Sequence, residues 1–106
     1  MSSPPRDTLQ HWVRAQEEDQ ADLTVYRPAT YPLPPARGRA GFELLPDGEA
    51  VYYGFGPTDR METIRGRWVF EAPARLQIEL PGSRIGNISM EIVSVEPNRL
   101  VVRQSM

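Results

Sequence analysis

The chain contains no cysteine, no lysine, only one histidine and no long apolar run. Without cysteine there are no disulfides, thiolate ligands or thiol nucleophiles. With His11 as the sole imidazole, a metal site would have to rest on carboxylates, and neither a metal nor a cofactor is expected. The longest apolar run, Ala50 to Tyr53, has four residues. That falls far short of the roughly 20 needed by a membrane-crossing helix or the roughly 7–15 of a signal-peptide core. No membrane partner is expected, and the cytoplasm is the expected compartment. The sequon-like Asn87-Ile88-Ser89 then reads as chance. All twelve basic residues are arginine, a bias that a GC-rich bacterial genome and selection for function would each produce.

What is present fits one domain. A chain of 106 residues buries roughly 60–68% of its unfolded surface, enough for one modest core. Residues 1–25 carry minus three and the remainder plus one, so neither part has the basic footprint of a nucleic-acid binder. Arginine still offers a planar fork of donors, so a local cluster can hold a carboxylate or phosphate inside a mildly acidic protein.

Residues 1–6 are polar and proline-bearing and are expected to be a flexible tail. Over residues 7–20, Asp7 with Gln10 suggests a cap, and Leu9, Trp12 and Val13 recur at helical spacing, which predicts one N-terminal α-helix. The acidic run at its far end opposes the macrodipole and should stop it near Asp19 to Asp22. Leu23 to Tyr26 has strand-like residue types. The proline- and arginine-rich segment 27–40 must be extended, since its prolines forbid a helix interior or a central strand.

From there the text reads as strands and turns. Gly41 to Leu45, Glu49 to Phe55, Thr63 to Glu71, Arg75 to Leu80, Asn87 to Glu96 and Leu100 to Gln104 read as strands, and Arg75 to Leu80 alternates most cleanly, with Leu76, Ile78 and Leu80 on one face. Turn chemistry separates them at Pro46-Asp47-Gly48, Gly56 to Asp59, Pro81-Gly82-Ser83 and Pro97-Asn98. Ile88, Met90 and Ile92 share one face and Val93 and Val95 the opposite phase, so a bulge is expected near Ile92. The fold class expected is mainly β: an antiparallel six-stranded meander forming a small barrel or strongly bent sheet, with the helix plugging an open end through Trp12.

This arrangement resembles the lipocalin-like, or calycin-like, small bacterial β-barrel domains. The residues that carry the likeness are Gly66-Arg67-Trp68 at a strand opening, the strand LQIELPG from Leu76 to Gly82, and Leu100-Val101-Val102-Arg103 near the end. The resemblance implies that Trp68 and Arg103 form a structural pair at the barrel closure, a cation–π contact of roughly 0.5–2 kcal/mol. It also implies ligand binding in a cup-shaped interior.

On that basis Tyr53, Phe55, Trp68 and Phe70 are the candidate ligand-lining aromatics, with Arg27, Arg37 and Arg39 at the mouth. The alternatives are ordinary ones. The proline segment is read as an ordered connector acting as a lid rather than a polyproline ligand. Arg27, Arg37, Arg39 and Arg60 are read as pairing with Glu43, Asp47, Asp59 or Glu62 rather than converging on an anion. Arg65 and Arg67 belong to a solvated face opposite Glu49 or Glu79. No serine lies near the single histidine in sequence, and Asp47 and Asp59 sit at turn positions that select aspartate for local bonding, so no catalytic residues are expected. The leading expectation is noncatalytic binding of a small apolar or amphipathic ligand. The alternative is a protein interaction module, a homodimer or heteromer using a sheet edge or the helix face of Leu9, Trp12 and Val13.

Overall fold

Alternation of inward and outward residues, interrupted by a register shift between Ile92 and Ser94, builds a continuous wall in the second half of the chain. The computed structural model describes residues 6–33, 39–55, 60–71, 73–83 and 85–104. Its strands are β1 (His11–Arg14), β2 (Leu23–Pro28), β3 (Gly41–Leu44), β4 (Glu49–Phe55), β5 (Met61–Glu71), β6 (Arg75–Leu80), β7 (Gly86–Glu96) and β8 (Arg99–Gln104). All pairings are antiparallel, and the order β1-β2-β8-β7-β6-β5-β4-β3 closes into a barrel through β1 and β3. The expectation of a small antiparallel barrel holds, but with eight strands rather than six.

The predicted α-helix over 7–20 is not formed. Its residues make a short 3₁₀ turn at Arg6–Thr8, the strand β1, and a second 3₁₀ turn at Gln16–Glu18. The physical reason is tertiary. An isolated three-turn helix with acids at its C-terminus is marginal. As a strand, the same residues bond to β2 on one side and β3 on the other. Gln10 does reach back to Asp7, but its amide donates to the Asp7 carbonyl at 2.9 Å and to the Pro97 carbonyl at 3.1 Å, tying the N-terminal turn to the far end of the chain. Leu23 to Pro28 is the other added strand, pairing β1 with β8.

Inward-facing residues follow from the register. Trp12 lies opposite Phe42, Trp68 opposite Ile78, and Leu76 opposite Met90. Trp12, Phe42, Leu44, Leu76, Ile78, Leu80, Met90, Leu100 and Val102 form the buried interior. A register shift between Ile92 and Ser94 lets both Ile92 and Val95 pack inward while Val93 faces out, 46% exposed. This is the expected bulge. A satellite cluster of Ala15, Val25 and Val101, joined by Leu23 and Leu33, lies apart from that interior. Val25 and Val101 belong to the outward phase of β2 and β8, so this part of the proline-rich connector packs on the outer wall. Arg65 meets Glu49 at 3.3 Å on the outer face of neighbouring strands, as alternation predicts.

Closure depends on two close approaches. A Cβ on Gly41 would fall 2.0 Å from the Trp12 carbonyl oxygen, at the β1–β3 seam. One on Gly66 would fall 1.9 Å from the Glu79 carbonyl oxygen, where β5 begins to pair with β6. Glycine at each position lets the wall curve tightly enough to shut.

Candidate functional site at the barrel mouth

The two ends of the barrel are finished differently. At the end holding the β3–β4 and β7–β8 turns, the Trp12 indole Nε1 donates to the Thr8 carbonyl at 3.0 Å and the Trp68 Nε1 to the Leu45 carbonyl at 2.8 Å. Trp12 and Thr8 are fully buried there, and Leu9 packs against the same core. This end forms the floor, packed by the two tryptophans, with a hollow of about 210 Å³ beside the β5–β6 turn.

The opposite end opens into a cavity of about 310 Å³. Its apolar wall is Phe42, Tyr52, Ile85, Ile88 and Met90, with the Ala40-Gly41 backbone at the rim. Its polar wall is Arg14, Tyr26 and Gln104. Each polar residue sits at a strand position whose inward phase the register fixes: Arg14 lies opposite Tyr26 across β1 and β2, and Gln104 opposite Met90 across β8 and β7. The Tyr26 ring packs on Phe42 with centroids 5.0 Å apart. Burial pushes the Tyr26 hydroxyl above its ordinary range, with a hydrogen bond from Gln104 working the other way, so it stays protonated and can donate throughout the physiological range.

The β1–β2 connection lies beside this mouth and is held by three ion pairs. Arg14 Nη2 donates to Asp19 Oδ2. Arg27 grips both carboxylate oxygens of Glu18 at 2.7 and 2.6 Å. Arg39 grips both of Glu17 at 2.8 and 2.6 Å and also donates to the Arg14 carbonyl. The hydrogen bonds from Arg39 hold the Glu17 carboxyl at about 2, and those from Arg27 hold Glu18 below its usual value. Bidentate geometry makes these the more specific of the surface pairs.

The candidates named from the sequence are dispersed by this arrangement. Tyr53 points outward, stacks on His11 with ring centroids 4.6 Å apart and bonds Glu43 at 3.4 Å. Burial and the neighbouring Glu43 raise its hydroxyl pKa. Trp68 points inward but belongs to the floor. Phe70 lines a separate hollow of about 210 Å³ with Pro73, Ala74 and Ile92 to Val95. Phe55 ends β4, but its side chain, like Arg37 and the Gly56 to Asp59 turn, lies outside the described residues. Arg27 is bound to Glu18, to the Asn98 carbonyl and over the Tyr31 ring at 4.4 Å, and Arg39 is bound to Glu17. Both serve the connection rather than the cavity lining. The acids they grip are Glu18 and Glu17.

Trp68 and Arg103 lie on opposite faces of the wall and do not pair. Arg103 is exposed and binds Asp22 and Glu91, each at 2.8 Å, while Trp68 packs against the interior. The helix face proposed as a docking surface is also absent: Trp12 is fully buried and Leu9 packs against the core. Of the cavity residues, Ile88 and Met90 were legible as one face of a strand. Arg14, Tyr52 and Gln104 were missed as lining residues, although the alternation Trp12-Arg14 and Leu100-Val102-Gln104 carries the signal.

Among the described residues, no three His, Asp or Glu side chains come together to hold a metal ion, and no helix is long and apolar enough to cross a membrane. Comparison with protein-family models, with curated proteins and with solved structures finds no match to this chain.

Proposed function

We propose that the protein is a noncatalytic, lipocalin-like binding protein that takes one small apolar or amphipathic molecule into the open end of its barrel. The observation that carries this reading is the cavity itself: about 310 Å³, apolar on one wall, with a few polar groups on the other. Eight-stranded barrels have interiors that side chains just fill or that hold one small ligand. Here the floor is filled and the mouth is not.

The volume sets the ligand's size. It lies at the lower end of the roughly 300–1,000 Å³ typical of ligand pockets and equals about ten waters at about 30 Å³ each. That suits a body of about eight carbons rather than a haem or a long-chain fatty acid.

The test is thermal unfolding with panels of medium-chain acids and alcohols, simple aromatic acids and haem. A ligand that binds only the folded state stabilises by about 2.7 kcal/mol at a hundredfold excess over Kd, which raises Tm by on the order of 10 °C in a domain of this size. Compact apolar molecules are expected to raise Tm and haem to leave it unchanged. A flat response across every compact ligand contradicts the reading.

A further inference from the structure

Arg14 is the only charged side chain among the described residues that line the cup, and its hydrogen bonding is incomplete. Its Nη2 donates to Asp19, but its Nε–H is buried and has no acceptor among the described residues. Asp19 is not positioned to serve both donors. Its other oxygen, Oδ1, accepts from the Val25 N–H at 3.0 Å, which ties the carboxylate to the β2 backbone. The Arg14 side chain as a whole is 37% exposed, which leaves its guanidinium open to an acceptor that enters the cup. The charge makes an anionic acceptor the most favourable one.

The rest of the wall fits the same ligand. The Tyr26 hydroxyl and the Gln104 amide, both able to donate, line the cavity with Arg14, and the facing surface is Ile88, Met90 and Phe42. One pole of the cavity is cationic and donor-bearing and the other is hydrocarbon. Resting on the binding function proposed above, we infer that the cup selects monocarboxylates with a compact apolar body. The carboxylate accepts from the Arg14 guanidinium beside Tyr26 and Gln104, and the body packs against Ile88 and Met90. Asp19 and the ligand then share one guanidinium, Asp19 as its permanent anchor and the ligand as its exchangeable partner.

Calorimetric titration of the full chain at neutral pH with octanoate, 1-octanol and octylammonium separates charge recognition from simple apolar binding. Octanoate is expected to bind at least about tenfold more tightly than octanol, as one charge-assisted hydrogen bond allows, with octylammonium weakest. In Arg14→Gln the acid and alcohol should come within about threefold of each other, the alcohol's Kd staying near its original value. Asp19→Asn keeps an oxygen for the Val25 N–H and removes the competing charge, so it should tighten octanoate several-fold and leave octanol alone. Because it retains the Arg14 donor, this variant decides the matter even if Arg14→Gln proves poorly folded by circular dichroism. Equal affinity for acid and alcohol in the unaltered protein, or an acid preference that survives Arg14→Gln, overturns the inference and leaves the cup standing. Failure of all three probes to bind overturns the inference and the binding function together.

Discussion

At the floor of the barrel both indole N–H groups are hydrogen-bonded to backbone carbonyls, and a fully buried tryptophan fills the space between strands. At the mouth the same eight strands surround about 310 Å³ of space. Each end keeps one buried polar atom without a partner among the described residues, the Thr8 hydroxyl at the floor and the Arg14 Nε–H at the mouth. The difference lies in which inward positions carry bulk. Trp12 and Trp68 occupy the floor end of β1 and β5, whereas the mouth end offers Gly41, Ile88 and Met90. Packed bulk is thus concentrated at one end and open, polar-lined space at the other. The alternating pattern alone makes a barrel, and the sizes and charges of the inward residues decide which end stays open.

The sharpest way to break this contrast is at the floor. Trp12→Ala removes the largest fully buried side chain and leaves a cavity, and a loss of about 3–5 kcal/mol is expected. Urea unfolding measures it, and a loss under about 1 kcal/mol would show that the floor is not where stability resides. Gly41→Ala is expected to cost about 1–3 kcal/mol, since its methyl would collide with the Trp12 carbonyl at the closing seam and backbone must shift. The same titration reads this effect.

At the mouth the prediction reverses. Ile88→Trp puts bulk into the open cavity, so stability should change by less than about 1 kcal/mol while ligand-induced stabilisation disappears. A large loss of stability with ligand response intact would place the cavity elsewhere.

The smallest effect concerns the ion-paired connection beside the mouth. Glu17 titrates at about 2 in the folded protein against 4.5 ordinarily, because Arg39 hydrogen-bonds its carboxylate. Its contribution is therefore present above pH 4.5 and is lost as pH falls through the folded value. Comparing Tm of the unaltered protein with Glu17→Gln from neutral pH downward should show a small difference that shrinks below pH 4.5, vanishes near pH 2 and is weakened by salt. A difference that grows on acidification would contradict the pairing.

Much of the wall was legible in the sequence. Leu76, Ile78 and Leu80 alternate without a break, and turn residues such as Asp47-Gly48 and Pro97-Asn98 bracket strands long enough to show their period. The strand β1 was not legible because four residues cannot establish a period of two, and Asp7, Gln10 and the spacing of Leu9, Trp12 and Val13 imitate a helix. Closure was hidden for a different reason. The pairings β1–β3 and β2–β8 join strands that are not consecutive, and nothing local specifies them. The site suffered from both. Arg14 reads as a surface charge until β1 is known to be a strand whose even residues face inward. Arg27 and Arg39 were assigned to the mouth, and their pairing with Glu18 and Glu17 could not be read while those acids were placed on a helix that does not form.

The most direct test of the account is a nitrogen–proton NMR titration with octanoate, using the two tryptophan indole signals as internal reporters. The account predicts that backbone signals of Arg14, Tyr26, Ile88 and Met90 shift in a saturable way while the indole N–H signals of Trp12 and Trp68 stay in place. Saturable shifts of either indole signal with the mouth residues unmoved would contradict it, because the ligand would then be entering through the floor.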